Sequence, residues 1–318
     1  MGMTNAAAIT ASGLVKKFGD VTAVNGLTFS VMPGEIFGLV GPDGAGKTTT
    51  MRLLTGVMQP TAGSATVLGV EVTRNPEAIR HRLGYVPQSS SLYGDLSVVE
   101  NLQFHADLFG IPRGERDRQT ARLLAFSRLE PFAKRLAKNL SGGMRQKLAL
   151  CAVLIHRPEV LFLDEPTIGV DPVSRRDFWL LIYQLLQQGL TLLVSTPYLD
   201  EAERCHRVGL MDHGRLIACE NPAGLRHLLP GALLELRGLV PEAASALLRR
   251  LPEVKEAQVF GETLHLLVED PERDLPRLRA TLLAEGFADA QLRPITPSLE
   301  DVFVTLLRDK ERKISNRR

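Results

Sequence analysis

The chain has 318 residues, 44% of them hydrophobic and 23% charged. That is enough for two domains of ordinary size with sizeable cores, and it excludes disorder, collagen-like repeats and small disulfide-stapled scaffolds. The formal charge is +2, yet the last eleven residues, RDKERKISNRR, hold +4 of it and leave −2 elsewhere. No basic surface of nucleic-acid size is therefore expected. The tail reads as a solvated end, with contact to anionic lipid headgroups as the alternative.

Apolar runs such as Leu148–Ile155 fall far short of the roughly 20 residues that span a bilayer. The start, MGMTNAAAIT, has no basic stretch followed by an apolar core. A soluble chain that stays where it is made is the expectation. Cys151, Cys205 and Cys219 form neither a CxxC pair nor a metal spacing, so reduced, mostly buried thiols are expected.

In chain order, residues 9–40 read as short strands parted by Gly-containing turns, ending in the apolar run IFGLV. The Gly-rich loop GPDGAGKTT follows, and then a helix on the spacing of Met51, Leu54 and Met58. SATVLGVEV reads as a strand pair and LGYVPQ as a buried strand ending at Pro87. From about Ser97 to Lys138 the pattern turns helical, opening on a capping box of Ser97 and Glu100. GGMRQKLALCAVLI is a helix leading to the continuous apolar run Val160–Leu163, as a parallel strand buried on both faces requires. A further helix closed by Gly189 and the strand LTLLVST complete an α/β parallel-sheet pattern with one helical insertion. NPAGLRHLLPG, with two prolines and two glycines, reads as a linker region. Alternating strands and helices beyond it suffice for a small α+β domain. The expected organisation is a main domain over 1–224 with a helical subdomain at about 89–140, a linker at 225–230 and an accessory domain over 231–318.

The segment Gly41-Pro42-Asp43-Gly44-Ala45-Gly46-Lys47-Thr48 fits G-x-x-x-x-G-K-[ST] between a strand and a helix. Its glycines let backbone N–H groups converge on phosphate oxygens at a helix N-terminus; Lys47 reaches the β/γ-phosphates and Thr48 ligates Mg²⁺. Asp164 ends the buried strand at the edge where α/β sheets bind ligands, and can hold Mg²⁺ directly or through water. Glu165 can orient and polarise an attacking water.

LSGGMRQK (Leu140–Lys147) resembles the signature of ATP-binding cassette (ABC) ATPases. Gln88 is similar to the family's Q-loop glutamine, Phe18 to the aromatic that stacks on adenine, and Gly169-Val170-Asp171 to the D-loop, over roughly residues 8–222. The resemblance implies a phosphate-loop NTPase fold of α/β class with a helical insertion. It implies an ATPase using ATP and Mg²⁺, with Glu165, Gln88 and Lys47 catalytic. Nucleotide contacts would come from Phe18, residues 41–48 and Thr49, and from Ser141, Gly142 and Gly143 of the opposed cassette. Thr48, Gln88 and Asp164 would serve the metal. It also implies a head-to-tail dimer, as homodimer or heterodimer, and a separate membrane permease. That permease would hold the chain at the inner face of the cell membrane.

SLEDVF (Ser298–Phe303), after the α+β extension, resembles the tails of export ATPases of the daunorubicin-resistance and sodium-efflux type. GLVGPDGAGKTT and STPYLDEAE resemble the first half of fused two-cassette multidrug ATPases. Two positions depart from the family pattern. Pro197 stands where a histidine should contact the γ-phosphate, and it brings neither an imidazole nor an N–H. Asp43 replaces the usual asparagine and adds a like charge near a triphosphate. Slow hydrolysis at this chain's own site is expected. Two other classes were weighed: a soluble ABC protein of translation or repair, which usually has two cassettes or a long coiled coil, and an ATP-sensing module without turnover.

Overall fold

The computed structural model describes residues 6–89, 91–238 and 241–315, with 241–243 and 311–315 by backbone alone. The start of the chain and the last three residues of the basic tail, both read above, lie outside the described residues. The chain divides into two compact units, Met1–Pro222 and Ala223–Arg318.

The first unit opens with the hairpin β1 (Ile9–Phe18) and β2 (Val21–Val31), then β3 (Ile36–Val40) and α1 (Lys47–Leu54). Strands β4 (Ala62–Val67), β5 (Val70–Glu71) and β6 (Leu83–Val86) follow, and then the insertion helices α2 (Val98–Leu108), α3 (Arg113–Ser127) and α4 (Gly142–Leu154). The unit continues with β7 (Val160–Asp164), α5 (Pro172–Gln187), β8 (Thr191–Thr196), α6 (Leu199–Ala202), β9 (Arg207–Asp212) and β10 (Arg215–Glu220). A six-stranded sheet runs β10-β9-β3-β8-β7-β6, parallel throughout except for β10. Every residue of β3, β7 and β8 is buried, which is why their centres are apolar runs rather than alternating patterns. A four-stranded antiparallel sheet, β2-β1-β4-β5, shares its core with them: Ile9, Leu14, Leu27 and Val31 lie in one cluster with Phe37, Leu39, Met51 and Leu54.

The capping box opens α2 as the sequence predicts: the Ser97 amide donates to Glu100 Oε2 (2.7 Å) and the Glu100 amide to Ser97 Oγ (3.3 Å). Gly189, at φ 86°, takes the left-handed turn that ends α5, its N–H donating to Leu186 O at 2.8 Å. No helix among the described residues is long and apolar enough to cross a membrane.

A short helix, α7 (Pro222–Arg226), leads to β11 (Ala232–Arg237). Residues 225–230, which Pro230 and the flanking Gly224 and Gly231 mark as a linker, are partly packed: Leu225 and Leu229 are buried. Their i, i+4 spacing forms an apolar edge on helical turns, and that outweighs the breakers. In the second unit β11 joins β12 (Val254–Phe260), β13 (Thr263–Val268) and β14 (Gln291–Ile295) in an antiparallel sheet ordered β12-β13-β11-β14. Leu234, Leu236, Leu264, Leu266 and Val268 pack with Leu248 of α8 (Pro241–Leu248) and with Leu278 and Leu282 of α9 (Pro271–Ala284). The opposite face meets α10 (Leu299–Ser315) through polar pairs. His265 Nδ1 lies 2.7 Å from Asp301 Oδ1, and Arg308 pairs with Glu256. Leu266→Ala, at a fully buried position, is expected to destabilise this unit by about 2–5 kcal/mol in urea unfolding followed by circular dichroism.

Candidate nucleotide site

The loop after β3 turns back under tight steric limits. A Cβ on Gly41 would lie 2.3 Å from Met211 O, and one on Gly46, at φ 99°, 2.3 Å from Ala23 O. Only glycine fits either place. Gly46 also leaves α1 without a side-chain cap, so the first N–H groups of the helix stay open to an anion. Pro42, Asp43 and Gly44 are exposed at the crest of the loop, Ala45 is buried beneath it, and Thr48 and Thr49 are half-buried on the first turn.

Lys47 is nearly buried, 3% exposed, and its three protons have three partners. Nζ lies 2.8 Å from Gly41 O, 3.0 Å from Pro42 O and 2.9 Å from Glu165 Oε1. Gln88, just beyond β6, donates from Nε2 to Glu165 Oε2 at 2.7 Å. Both carboxylate oxygens of Glu165 are thus engaged by residues far away in sequence. Thr48 Oγ1 donates to Asp164 Oδ1 at 3.1 Å. Lys47, Thr48, Gln88, Asp164 and Glu165, predicted from separate motifs, are brought to one place.

Two further residues stand in that place, and the sequence reading passed over both. Ser195 Oγ donates to Asp164 Oδ1 at 2.6 Å, and the Tyr85 hydroxyl to Asp164 Oδ2 at 3.1 Å. Burial, and then the Asp164 carboxylate, push the Tyr85 hydroxyl far above its ordinary range, so it remains a donor. Ser195 and Tyr85 lie in strand segments, LTLLVST and LGYVP, where position along the strand was the only available signal. Glu165 itself has φ +50°; a left-handed conformation costs a non-glycine residue roughly 1–2 kcal/mol.

Oxygen donors from Thr48 and Asp164 beside an uncapped helix suit a hard cation such as Mg²⁺, which takes few protein ligands and completes its shell with phosphate and water. Gln88 reaches Glu165 through its amide nitrogen, leaving its carbonyl oxygen as the candidate third ligand.

Phe18 sits 48% exposed at the tip of the β1–β2 hairpin, with Lys16 Nζ 5.2 Å from its ring centre. Ser141 caps α4, its Oγ accepting from the Met144 amide (3.3 Å). Among the described residues no hydrogen bond or ion pair joins Ser141, Gly142 or Gly143 to residues 41–49. Gly142 and Gly143 lie instead against the turn before α5 and its first turn: a Cβ on Gly142 would lie 3.5 Å from Gly169 O, an ordinary contact, and one on Gly143 2.4 Å from Ser174 Cβ.

Pro197 follows the last residue of β8, Thr196, whose carbonyl accepts from the Gly41 amide (3.4 Å). It therefore adjoins the phosphate loop, without an imidazole to offer. His206 Nδ1 accepts from the Ile36 amide at 3.0 Å, at the opposite end of β3 from the loop. His213 lies on a turn that touches Ala45 through Gly214, but its side chain is 90% exposed beside Asp212. Two of the three cysteines, Cys151 and Cys205, are buried, Cys219 partly so; burial pushes the Cys151 thiol up to about 12.

The ABC transporter family profile matches residues 24–168. Over 301 residues the chain is 40% identical to the Nod factor export ATP-binding protein I of a Rhizobium species, covering 94% of this chain and 96% of that protein. The chain belongs to the ABC transporter ATP-binding proteins, a family of ATPases. This cassette is also 43% identical over 308 residues to an Escherichia coli protein named probable multidrug ABC transporter ATP-binding protein YbhF. That match covers 95% of the cassette chain but only 52% of the relative, so the chain spans about half of that protein's length. Among solved structures it is similar to an ATP-binding subunit of an ABC transporter, at 28% identity and a TM-score of 0.63 over 70% of this chain and 92% of that one. A Clostridium perfringens cassette described as part of an ABC transporter complex gives 25% identity and a TM-score of 0.64, over 70% and 91%.

Gly143→Ala in this cassette drives a methyl into Ser174. Thermal and urea melts should show a loss of about 1–3 kcal/mol, and adding Ser174→Gly should recover part of it rather than add to it.

Proposed function

We propose that the chain is the ATP-hydrolysing subunit of an exporter, pairing head-to-tail with a second cassette and driving a separate membrane permease. The observation that carries this is the convergence of Lys47 and Gln88 on Glu165, and of Thr48 on Asp164, beside an uncapped helix N-terminus. The names of the multidrug and Nod factor relatives support export over import. The alignment with about half of a longer multidrug protein supports a likeness to one cassette of a two-cassette ATPase. In this reading residues 1–224 are the nucleotide-binding domain, 231–318 an accessory domain of the daunorubicin-resistance type, and the chain sits at the membrane's inner face through its permease.

Incoming phosphate exchanges partners with Lys47: the Gly41 and Pro42 carbonyls give way to β/γ-oxygens, and the bond to Glu165 loosens. That releases one oxygen of Glu165 to orient water, while Gln88 keeps hold of the other. Phe18 offers its exposed ring to adenine. Thr48 and Asp164, with Gln88, would hold Mg²⁺, which when bound supplies neutralising charge to the phosphate oxygens. Ser141, Gly142 and Gly143 would close the nucleotide site of the opposed subunit with the open start of α4. Because Pro197 donates nothing to the γ-phosphate, water alignment at this site falls on Glu165 without the family's histidine, and turnover is slow.

Hydrolysis of Mg-ATP by the purified chain tests the reading, with Glu165→Gln as the blank. The wild-type rate should be low, rise more than linearly with protein if the chain pairs with itself, and fall to background in Glu165→Gln. Pro197→His should raise it about a hundredfold, the lower end of what a positioned acid–base group contributes. A wild-type rate equal to Glu165→Gln, unchanged by a partner cassette, overturns the ATPase reading. No gain from Pro197→His overturns the account of slow turnover.

A further inference from the structure

We propose that Ser195 is a positioning residue of the ATPase reaction, one hydroxyl that fixes the orientation of both Asp164 and Glu165. This rests on the ATPase reading above. Ser195 lies opposite Asp164 in the β7–β8 pairing and is fully buried. A hydroxyl there has one proton to give and two lone pairs to offer, and the site uses both functions. The proton goes to Asp164 Oδ1 at 2.6 Å; the oxygen accepts the Glu165 amide at 3.0 Å. The same amide also reaches Ser195 O at 3.1 Å, so one residue takes both arms of a shared hydrogen bond. That amide belongs to the residue held at φ +50°. A left-handed glutamate persists only where its surroundings over-determine it, and Ser195 supplies that determination.

The remaining contacts of Asp164 show why the hydroxyl matters during turnover. Asp164 Oδ1 also receives Thr48, and Oδ2 receives Tyr85. Once Thr48 turns to the cation and nucleotide, Ser195 is the donor left on Oδ1. With Pro197 two positions further on, no histidine shares the task of aligning water, and the backbone that aims Glu165 carries it alone. Ser195 touches neither substrate nor metal in this account. It acts through Asp164 and Glu165.

The test compares Ser195→Ala, Ser195→Val and Ser195→Thr with wild type. Valine and threonine have the same shape, so their difference isolates the hydroxyl even where the extra methyl crowds the strand. Three quantities are read: kcat and KM for ATP, and the Mg²⁺ concentration giving half-maximal binding of a fluorescent ATP analogue, with melting temperatures as a check on folding. Loss of a residue that orients a metal ligand typically costs about 10–100-fold. Ala and Val are therefore expected to lower kcat by that factor and to raise the Mg²⁺ midpoint several-fold, with KM nearly unchanged. Thr is expected to keep kcat within about threefold of wild type, since it keeps the bridge between the two groups. Equal losses in Thr and Val would show that shape alone matters, and wild-type kcat with a wild-type Mg²⁺ midpoint in Ala would show that the hydroxyl is idle; either overturns the proposal. A wild-type chain no faster than Glu165→Gln, alone and with a partner cassette, sinks the ATPase reading itself, and this assignment with it. That failure is separate from the others because it shows in the wild type before any Ser195 variant is compared.

Discussion

Three parallel strands held in register decide where the charges of this cassette stand. Asp164 closes β7 opposite Ser195, and Val40 closes β3 opposite Thr196. The three strands are buried along their whole length, so their carboxyl ends are the first places where polar side chains can meet a ligand. A slip of one residue would turn each side chain to the other face of the sheet. Asp164 would then leave Thr48 and Tyr85, and Ser195 would no longer reach it. The apolar packing of the sheet therefore sets the geometry of the polar site.

Inside that frame the buried charges are handled unequally. Asp164, fully buried, has no cation beside it; three hydroxyls, from Thr48, Tyr85 and Ser195, stand in for one. Glu165 takes the amine of Lys47. Two carboxylates against one lysine leave this centre with an excess of negative charge, which in the proposed reading a Mg²⁺ held by Thr48 and Asp164 would offset locally. Glu201, 1% exposed, is satisfied apart from this centre by the hydroxyls of Thr167 and Thr196 and the guanidinium of Arg175. Its bonds tie the segment after β7 to the end of β8. Pro197 follows directly on an anchored residue, Thr196, so the backbone at this position is held in place whatever side chain stands there.

The legible parts of this molecule were those whose residues announce a backbone requirement or a burial pattern. Gly41, Gly46 and Lys47 could be read because a phosphate loop demands them in that order, and β7 and β8 because burial on both faces leaves continuous apolar runs. Ser97 with Glu100 announced a helix start. Ser195 and Tyr85 could not be read, since a hydroxyl in a strand gives no sign of what lies across from it; only the strand pairing supplies that. Residues 225–230 read as a linker from Pro230 and the flanking Gly224 and Gly231, a signal that gives no sign of the burial of Leu225 and Leu229. Gly143 was read for the phosphate it would meet on another subunit. Within its own chain it is glycine for a nearer reason, the 2.4 Å that would separate a Cβ from Ser174.

That nearer reason bears on how the signature works. Gly142 and Gly143 fit against Gly169 and Ser174, so the start of α4 cannot move without the segment between β7 and α5. That segment begins at Glu165 and includes Thr167, which is bonded to Glu201, while Arg175 on the first turn of α5 is bonded to Glu201 and Asp200. The start of α4 and Glu165 are thus two ends of one packed block rather than separate motifs. In the proposed head-to-tail pair, a nucleotide held by the opposed subunit would press on this block at Ser141. The block would carry that force toward Glu165 through the seating of Gly143 on the Ser174 side chain, a contact too close to admit a methyl group. Glycine at 143 therefore answers one demand within the chain, close seating on Ser174, and in the proposed pair it would answer a second, an open helix start for phosphate. A cassette that lost the first and kept the second would still present a phosphate cradle, but one detached from its own carboxylate.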